Sequence, residues 1–139
     1  MLPGNDASYF VEIPITGDDC TVTTYMGAGY DHSAILPEGY LWEVVNFHLT
    51  ASTDVTHTTN LYTYTLADSS GNSICTLTTG NIDVNPSTAV DSTPTAAYAT
   101  IDTSSAADWL KVTGAISGTG NGAILGLRAI VELQRKRPA

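Results

Sequence analysis

The run Leu36-Pro37-Glu38-Gly39-Tyr40-Leu41-Trp42-Glu43-Val44-Val45-Asn46-Phe47-His48-Leu49-Thr50-Ala51 decides how this chain is read. Pro37 to Tyr40 has turn chemistry, because proline pre-sets φ and glycine tolerates a positive one. From Leu41 the side chains alternate. Leu41, Val45, Phe47 and Leu49 share one face with Glu43, and Trp42, Val44, Asn46, His48 and Thr50 share the other. Large apolar groups on both faces predict a central strand with both sides partly covered.

Working outward, the same period of two recurs. Residues 9–16 read as a strand with Tyr9, Val11, Ile13 and Ile15 on one face. Pro14 cannot donate to a central ladder and places that strand at an edge. Residues 17–19 form a turn, residues 20–26 a threonine-dense strand, residues 27–33 a glycine-rich loop, and residues 34–36 a short apolar piece. Beyond the central strand, residues 52–59 are loop-like. Residues 60–67 form a strand with Tyr62, Tyr64 and Leu66 on one face, and Asp68-Ser69-Ser70-Gly71-Asn72 makes a hairpin into residues 73–79. Residues 80–95 read as an extended surface loop and residues 96–101 as a strand. Residues 102–108 suggest one helical turn capped by Ser104 or Ser105. Residues 109–116 form a strand, residues 118–122 a glycine-rich turn, and residues 123–133 the last strand, with Leu125, Leu127, Val131 and Leu133 on one face. Eight or nine short strands and no long helix predict an all-β sandwich or barrel.

The length of 139 residues fits one domain, and a domain of this size buries about 68–70% of its unfolded surface without needing a metal or disulfide. Charged residues make up only 14% of the chain, against about 25% in ordinary soluble domains. The net charge is −9, with 14 acidic and 5 basic residues. Lys111 and Arg128 are the only basic residues before the terminal run Arg135-Lys136-Arg137. The chain therefore divides into an N-terminal arm (1–8), a β-sandwich (9–133) and a basic C-terminal tail (134–139). The acidic body opposes nucleic acid and anionic membranes. Nothing approaches the roughly 18 apolar residues of a membrane span. The first residues also lack the basic start and apolar run of a signal peptide, so export by that route is not expected.

No catalytic, cofactor or metal constellation is expected. Cys20 and Cys75 allow one disulfide, but Cys75 alternates with Leu77 and reads as a small buried hydrophobe. His32, His48 and His57 lack the i, i+4 spacing of a zinc pair, although His48 and His57 sit close enough along the chain for a folded hairpin to bring them together. Asp18, Asp19 and Asp68 sit in turns without a calcium-loop pattern. The glycine-rich segments have no following lysine, no serine sits in a nucleophile elbow, and no acid pair is singled out for glycoside hydrolysis. The aromatic residues Trp42, Trp109, Tyr25, Tyr30, Tyr40, Tyr62 and Tyr64 suit strand packing. Where exposed, they suit a subunit interface or a sugar platform.

The turn Leu36-Pro37-Glu38-Gly39-Tyr40-Leu41-Trp42, the long strand it opens, the aromatic strand and the Asp68–Asn72 hairpin together resemble the jelly-roll virion proteins of tailed bacteriophages, especially the small capsid decoration (cement) proteins. The resemblance covers roughly residues 35–80. It implies a jelly-roll-like antiparallel β-sandwich with extended termini, no catalytic residues and no cofactor. It also implies an oligomer, with a trimer favoured, that is assembled in the host cytoplasm, sits on the capsid surface and clamps the major capsid protein or other virion subunits. Independently of the resemblance, Arg135, Lys136 and Arg137 are candidates to pair with acidic groups on such a shell or on an adjacent copy. Trp42, Tyr62 and Tyr64 are candidate contact residues. Deletion of residues 134–139 is then expected to weaken attachment and leave the domain folded. The alternative function is a tail- or fibre-associated carbohydrate- or receptor-binding module that stacks ligands on Trp42 or Trp109. A glycan-cleaving enzyme is a third class, without a defined acid pair.

Overall fold

The computed structural model describes residues 8–15, 22–27, 34–51, 61–79, 87–105, 108–117 and 128–138. They hold ten strands: β1 (Ser8–Pro14), β2 (Val22–Gly27), β3 (Ala34–Ile35), β4 (Tyr40–Ala51), β5 (Leu61–Ala67), β6 (Ser73–Thr79), β7 (Ser87–Asp91), β8 (Thr100–Asp102), β9 (Trp109–Ser117) and β10 (Arg128–Pro138). One sheet has the order β1-β10-β4-β7, with β8 also pairing β4, and the other has the order β3-β2-β9-β5-β6. Every pairing is antiparallel except the two-residue β2–β3 contact.

Setting aside the short β3 and β8, the first strand pairs the last (β1·β10), the second the next to last (β2·β9), and β4·β7 and β5·β6 complete the series. This is one long antiparallel ribbon rolled up so that β10 meets β4 and β9 meets β5. The result is a jelly-roll sandwich. Pro14 lies on the edge strand β1, where a residue without an N–H is tolerated.

The core lies between the two sheets. Val11, Ile13, Trp42, Val44, Phe47, Leu49, Val131 and Leu133 from the first sheet face Met26, Tyr64, Leu66, Leu110 and Val112 from the second. Burying side chains of this kind contributes about 1.5–3 kcal/mol each. On the outer face of the second sheet, Thr23, Thr113, Thr65 and Thr76 align across four strands. The threonine bias of the sequence is used here, on a β-branched face turned to solvent.

β4 is central, as its sequence predicts, but the two apolar sets on it do not serve opposite faces. Glu132 pairs Asn46 and Leu133 pairs Val44, so Val45 is an extra residue that bulges. A bulge shifts the alternation by one, which turns Trp42 and Val44 toward the same core as Phe47 and Leu49. A similar irregularity between Leu66 and Ala67 leaves Ile74 and Cys75 both buried. Cys75 is a free, buried thiol, in keeping with its reading as a small hydrophobe.

Other expectations are revised. Residues 134–138 are not a tail, because β10 runs through Pro138 with Arg135 opposite Trp42, Arg137 opposite Leu41 and Pro138 opposite Tyr40. The twelve-residue β4 needs backbone partners along its first half, and the basic segment supplies them. Ser8, assigned to the arm, belongs to β1, and residues 1–7 lie outside the described residues. The segment read as a loop at residues 80–95 contains β7, which pairs β4. In place of a helical turn after residue 102, the Asp102 carboxylate accepts bonds from Ser104 N at 2.9 Å and Ser104 Oγ at 2.6 Å. Of the loop predicted at residues 27–33, Gly27 ends β2 and the rest lies outside the described residues, as do the turns and loops predicted at 17–19, 52–59 and 118–122, together with Cys20, His32 and His57.

Candidate functional site

The turn that opens the deciding stretch is built around one buried hydroxyl. Thr103 is 2% exposed. Its Oγ1 lies 2.7 Å from Pro37 O and 3.0 Å from Tyr40 O, and it accepts the Tyr40 N–H at 3.1 Å. Thr103 N donates to Tyr40 O at 2.9 Å, and Gly39 N donates to Thr103 O at 3.3 Å. Gly39 has φ of +84°, a conformation that favours glycine. The Trp42 indole N–H donates to Pro37 O at 3.3 Å. The turn is thereby tied to the residue that follows β8, and it fixes Tyr40 and Trp42.

These two rings meet two further residues. The Trp42 ring lies 5.4 Å from Tyr9 on β1 and 5.8 Å from Tyr40, tilted to one and edge-on to the other. The Arg135 guanidinium sits 4.8 Å from the centre of the Tyr40 ring, a contact that contributes about 0.5–1 kcal/mol at an exposed site. Ser8, Tyr9, Pro37, Tyr40, Trp42 and Arg135 line a half-open cavity of about 220 Å³. Next along β10, Lys136 Nζ pairs with Glu43 Oε2 at 3.3 Å. Both partners are exposed, so the pair adds only about 0–1 kcal/mol. This end of the sandwich therefore combines an aromatic cup with the basic end of β10.

The predicted contact residues separate in the fold. Trp42 and Arg135 come together at the cup, although Trp42 is itself buried and shows only its inner wall. Lys136 follows Arg135 in sequence and pairs with Glu43, and neither of the two lines the cup. Arg137 holds a register position on β10 opposite Leu41. Tyr64 is wholly buried and belongs to the core. Tyr62 lies on β5 opposite Thr79 and Ile116, and its side chain is outside the described residues. Trp109 packs edge-on to Tyr25 at 5.1 Å, and Lys111 Nζ stands 5.4 Å over Tyr25. Sequence reading weighed Tyr40 among the aromatic candidates but had no means to single out Tyr9, since only the β1–β10–β4 pairing brings Tyr9 to the turn.

The remaining polar clusters hold strands together. Glu132 Oε1 accepts from Asn46 Nδ2 at 2.7 Å, and Oε2 accepts from Ser8 Oγ at 3.0 Å. The Asn46 bond outweighs partial burial and, with Ser8 and His48, holds this carboxyl below its usual range. His48 Nε2 is buried without a hydrogen-bond partner among the described residues, 3.8 Å from Glu132 Oε1. Asp91 Oδ2 accepts from Thr76 N at 3.0 Å, clipping β7 of one sheet to β6 of the other. Among the described residues, no three of His, Cys, Asp and Glu gather as a metal-binding group, and no helix is long and apolar enough to cross a membrane.

No protein-family model matches the chain, and no curated protein matches it. Among solved structures, the VP2 subviral particle of infectious bursal disease virus is 16% identical over 95% of this chain and 34% of that chain, with a TM-score of 0.38. The C-terminal domain of EclA, a sugar-binding protein, is 12% identical over 94% of this chain and 79% of that chain, with a TM-score of 0.33. Dimeric latent PorU from Porphyromonas gingivalis is 13% identical over 92% of this chain and 10% of that chain, with a TM-score of 0.34. The chain thus spans only a small part of PorU and about a third of VP2. Similarity this distant says nothing about function.

Proposed function

We propose that this chain is a non-enzymatic virion structural protein, a capsid decoration or cement protein that binds the head shell as an oligomer, with a trimer favoured. The observation that supports attachment through this end is the concentration of charge. Three of the five basic residues of a chain with net charge −9 occupy consecutive positions, 135–137. They lie on a paired strand beside an aromatic cavity. A cationic, aromatic surface held rigidly by a sheet suits docking on an acidic partner, because little ordering entropy is lost on binding. Oligomerisation then makes several modest contacts effectively intramolecular. The same end would serve a tail- or fibre-associated receptor-binding module, the second reading, which the aromatic cup favours.

Two measurements test the proposal. Light scattering of the purified chain should return the mass of a trimer. Pelleting with head shells of the virus that encodes the chain should carry it down in a fixed ratio to the major capsid protein. Full recovery in the supernatant contradicts the decoration role.

A further inference from the structure

We infer that the outer edge of β1 docks β1 of a second copy, in an antiparallel register that sets Phe10 opposite the partner's Phe10. Such pairing is independent of what the chain attaches to. It is a two-fold contact. Closed symmetry then gives a dimer from a single copy and a hexamer from a trimer, a doubling in either case.

The sheets offer few open edges. β3 has only two residues. β6 is covered where Asp91 Oδ2 accepts from Thr76 N at 3.0 Å and Thr95 N donates to Ile74 O at 2.9 Å. β7 is held at the same clip through Asp91. β1 has seven residues and, among the described residues, pairs with β10 alone. An uncovered strand presents a row of N–H and C=O groups that another strand can take up.

The side chains of β1 suit a second copy. Phe10 is 59% exposed, the most exposed large apolar side chain among the described residues. The one charged residue of the strand is Glu12, and the Arg128 guanidinium meets it at 3.0 Å. Two copies of a chain with net charge −9 repel over most of their surface, but here the acid is already matched.

The register follows from the same residues. Facing residues of an antiparallel pair share a side of the sheet, so a two-fold contact sets one residue of β1 opposite itself. With Phe10 in that place, the two rings meet on the outer face and Ser8 faces the partner's Glu12. The two Glu12 positions then stand roughly 13 Å apart along the strands, beyond the screening length of about 10 Å in 0.1 M salt. Glu12 opposite itself would bring like charges together. Pro14, which has no N–H to give, falls beyond the paired stretch of residues 8–12. So short a contact is far below the roughly 20–30 residues a side of a stable interface. The pairing is therefore weak in dilute solution and gains where copies are held close together.

Sedimentation equilibrium of the full chain over a wide range of concentration reads the contact. The mass should double from its dilute value and stop there. Phe10→Lys should weaken the doubling at least about ten-fold, the scale of losing an aromatic anchor from an interface. It should leave the dilute mass, the circular dichroism spectrum and the thermal midpoint unchanged. A second measurement reads the register without touching Phe10. In a Cys20→Ser background, Ser8→Cys combined with Glu12→Cys should form disulfide-linked pairs of chains under mild oxidation. Neither cysteine alone should do so, because only the combination places thiols opposite each other. A mass that does not rise with concentration, growth without limit, a doubling unaffected by Phe10→Lys, or single cysteines that link as readily as the combination would overturn the inference. The dilute mass and pelleting with head shells read the trimer and the shell attachment separately.

Discussion

Gly114 on β9 lies directly opposite Tyr64 on β5, and the buried Tyr64 ring occupies the space that a side chain at position 114 would need. The glycine is there for the ring. A bare backbone on one strand lets the aromatic residue of the next fold flat over it, and the ring covers a position that would otherwise weaken the sheet.

Gly114→Ala should therefore destabilise the domain by about 1–3 kcal/mol, the range for overpacking a closed core. Urea unfolding measures it. The same substitution in a Tyr64→Leu background should cost much less, because the obstructing ring is gone. An equal cost in both backgrounds would contradict the pairing.

Thr103→Val keeps the side-chain shape and removes the hydroxyl that serves Pro37 and Tyr40. Leaving a buried backbone group without its partner costs about 1–3 kcal/mol, and thermal unfolding should register the loss. Thr103→Ser, which retains the hydroxyl, should recover most of it. Tyr40 and Trp42 depend on this turn, so Trp42 fluorescence should shift in the valine variant and not in the serine one.

Acid should unfold the protein through its carboxylates. Burial alone would raise Asp91 and Asp68. In each, the bonds accepted outweigh it and lower the pKa, from Thr93 and Thr76 in one case and from Asn72, Ser70 and Gly71 in the other. A lowered folded pKa gives stability that is present above the unfolded value of about 3.9 and is lost as pH falls through the folded one. Urea midpoints measured between neutral and strongly acidic pH should fall steeply at the acid end. Asp91→Asn should start lower and fall less. A slope unchanged by that substitution would remove Asp91 from the account.

Burial, and then the charge of Asp91, pushes the Cys75 thiol up to about 12. At pH 8 almost none of it is thiolate, the reactive form. In a Cys20→Ser background, a thiol reagent should label the native chain no faster than it unfolds. Rapid labelling of the folded protein would contradict the buried placement.

Much of this fold was legible in the sequence. Alternation found β1, β4, β5, β6 and β9, Pro14 marked an edge, and Asp68 to Asn72 gave the hairpin, where Gly71 has φ of +87° and the Asp68 carboxylate accepts from Asn72 N at 2.7 Å. What escaped reading depends on pairing rather than on pattern. The Val45 bulge is one inserted residue, and the period of two has no signal for it. β7, Ser-Thr-Ala-Val-Asp, has one large apolar residue in five and is a strand because β4 lies beside it. Arg135-Lys136-Arg137 has the charge density of a solvated end, yet β4 recruits its backbone. The cup was half legible. Trp42, Tyr40 and Arg135 stood out by type, but Tyr9 and Arg135 reach the turn only through strand pairings that are distant in the chain.

That placement also changes how attachment is tested. Removing residues 134–139 strips partners from β4 and should lower the thermal midpoint, so it does not isolate the basic end. The decisive measurement is pelleting with head shells for the unaltered chain and for Lys136→Gln/Arg137→Gln, which keeps the β10 backbone in place. The account predicts unaltered thermal stability and a clear fall in shell occupancy for the double variant. Wild-type occupancy of the double variant, or no attachment of the unaltered chain, would contradict the claim that the basic end of β10 is the docking surface.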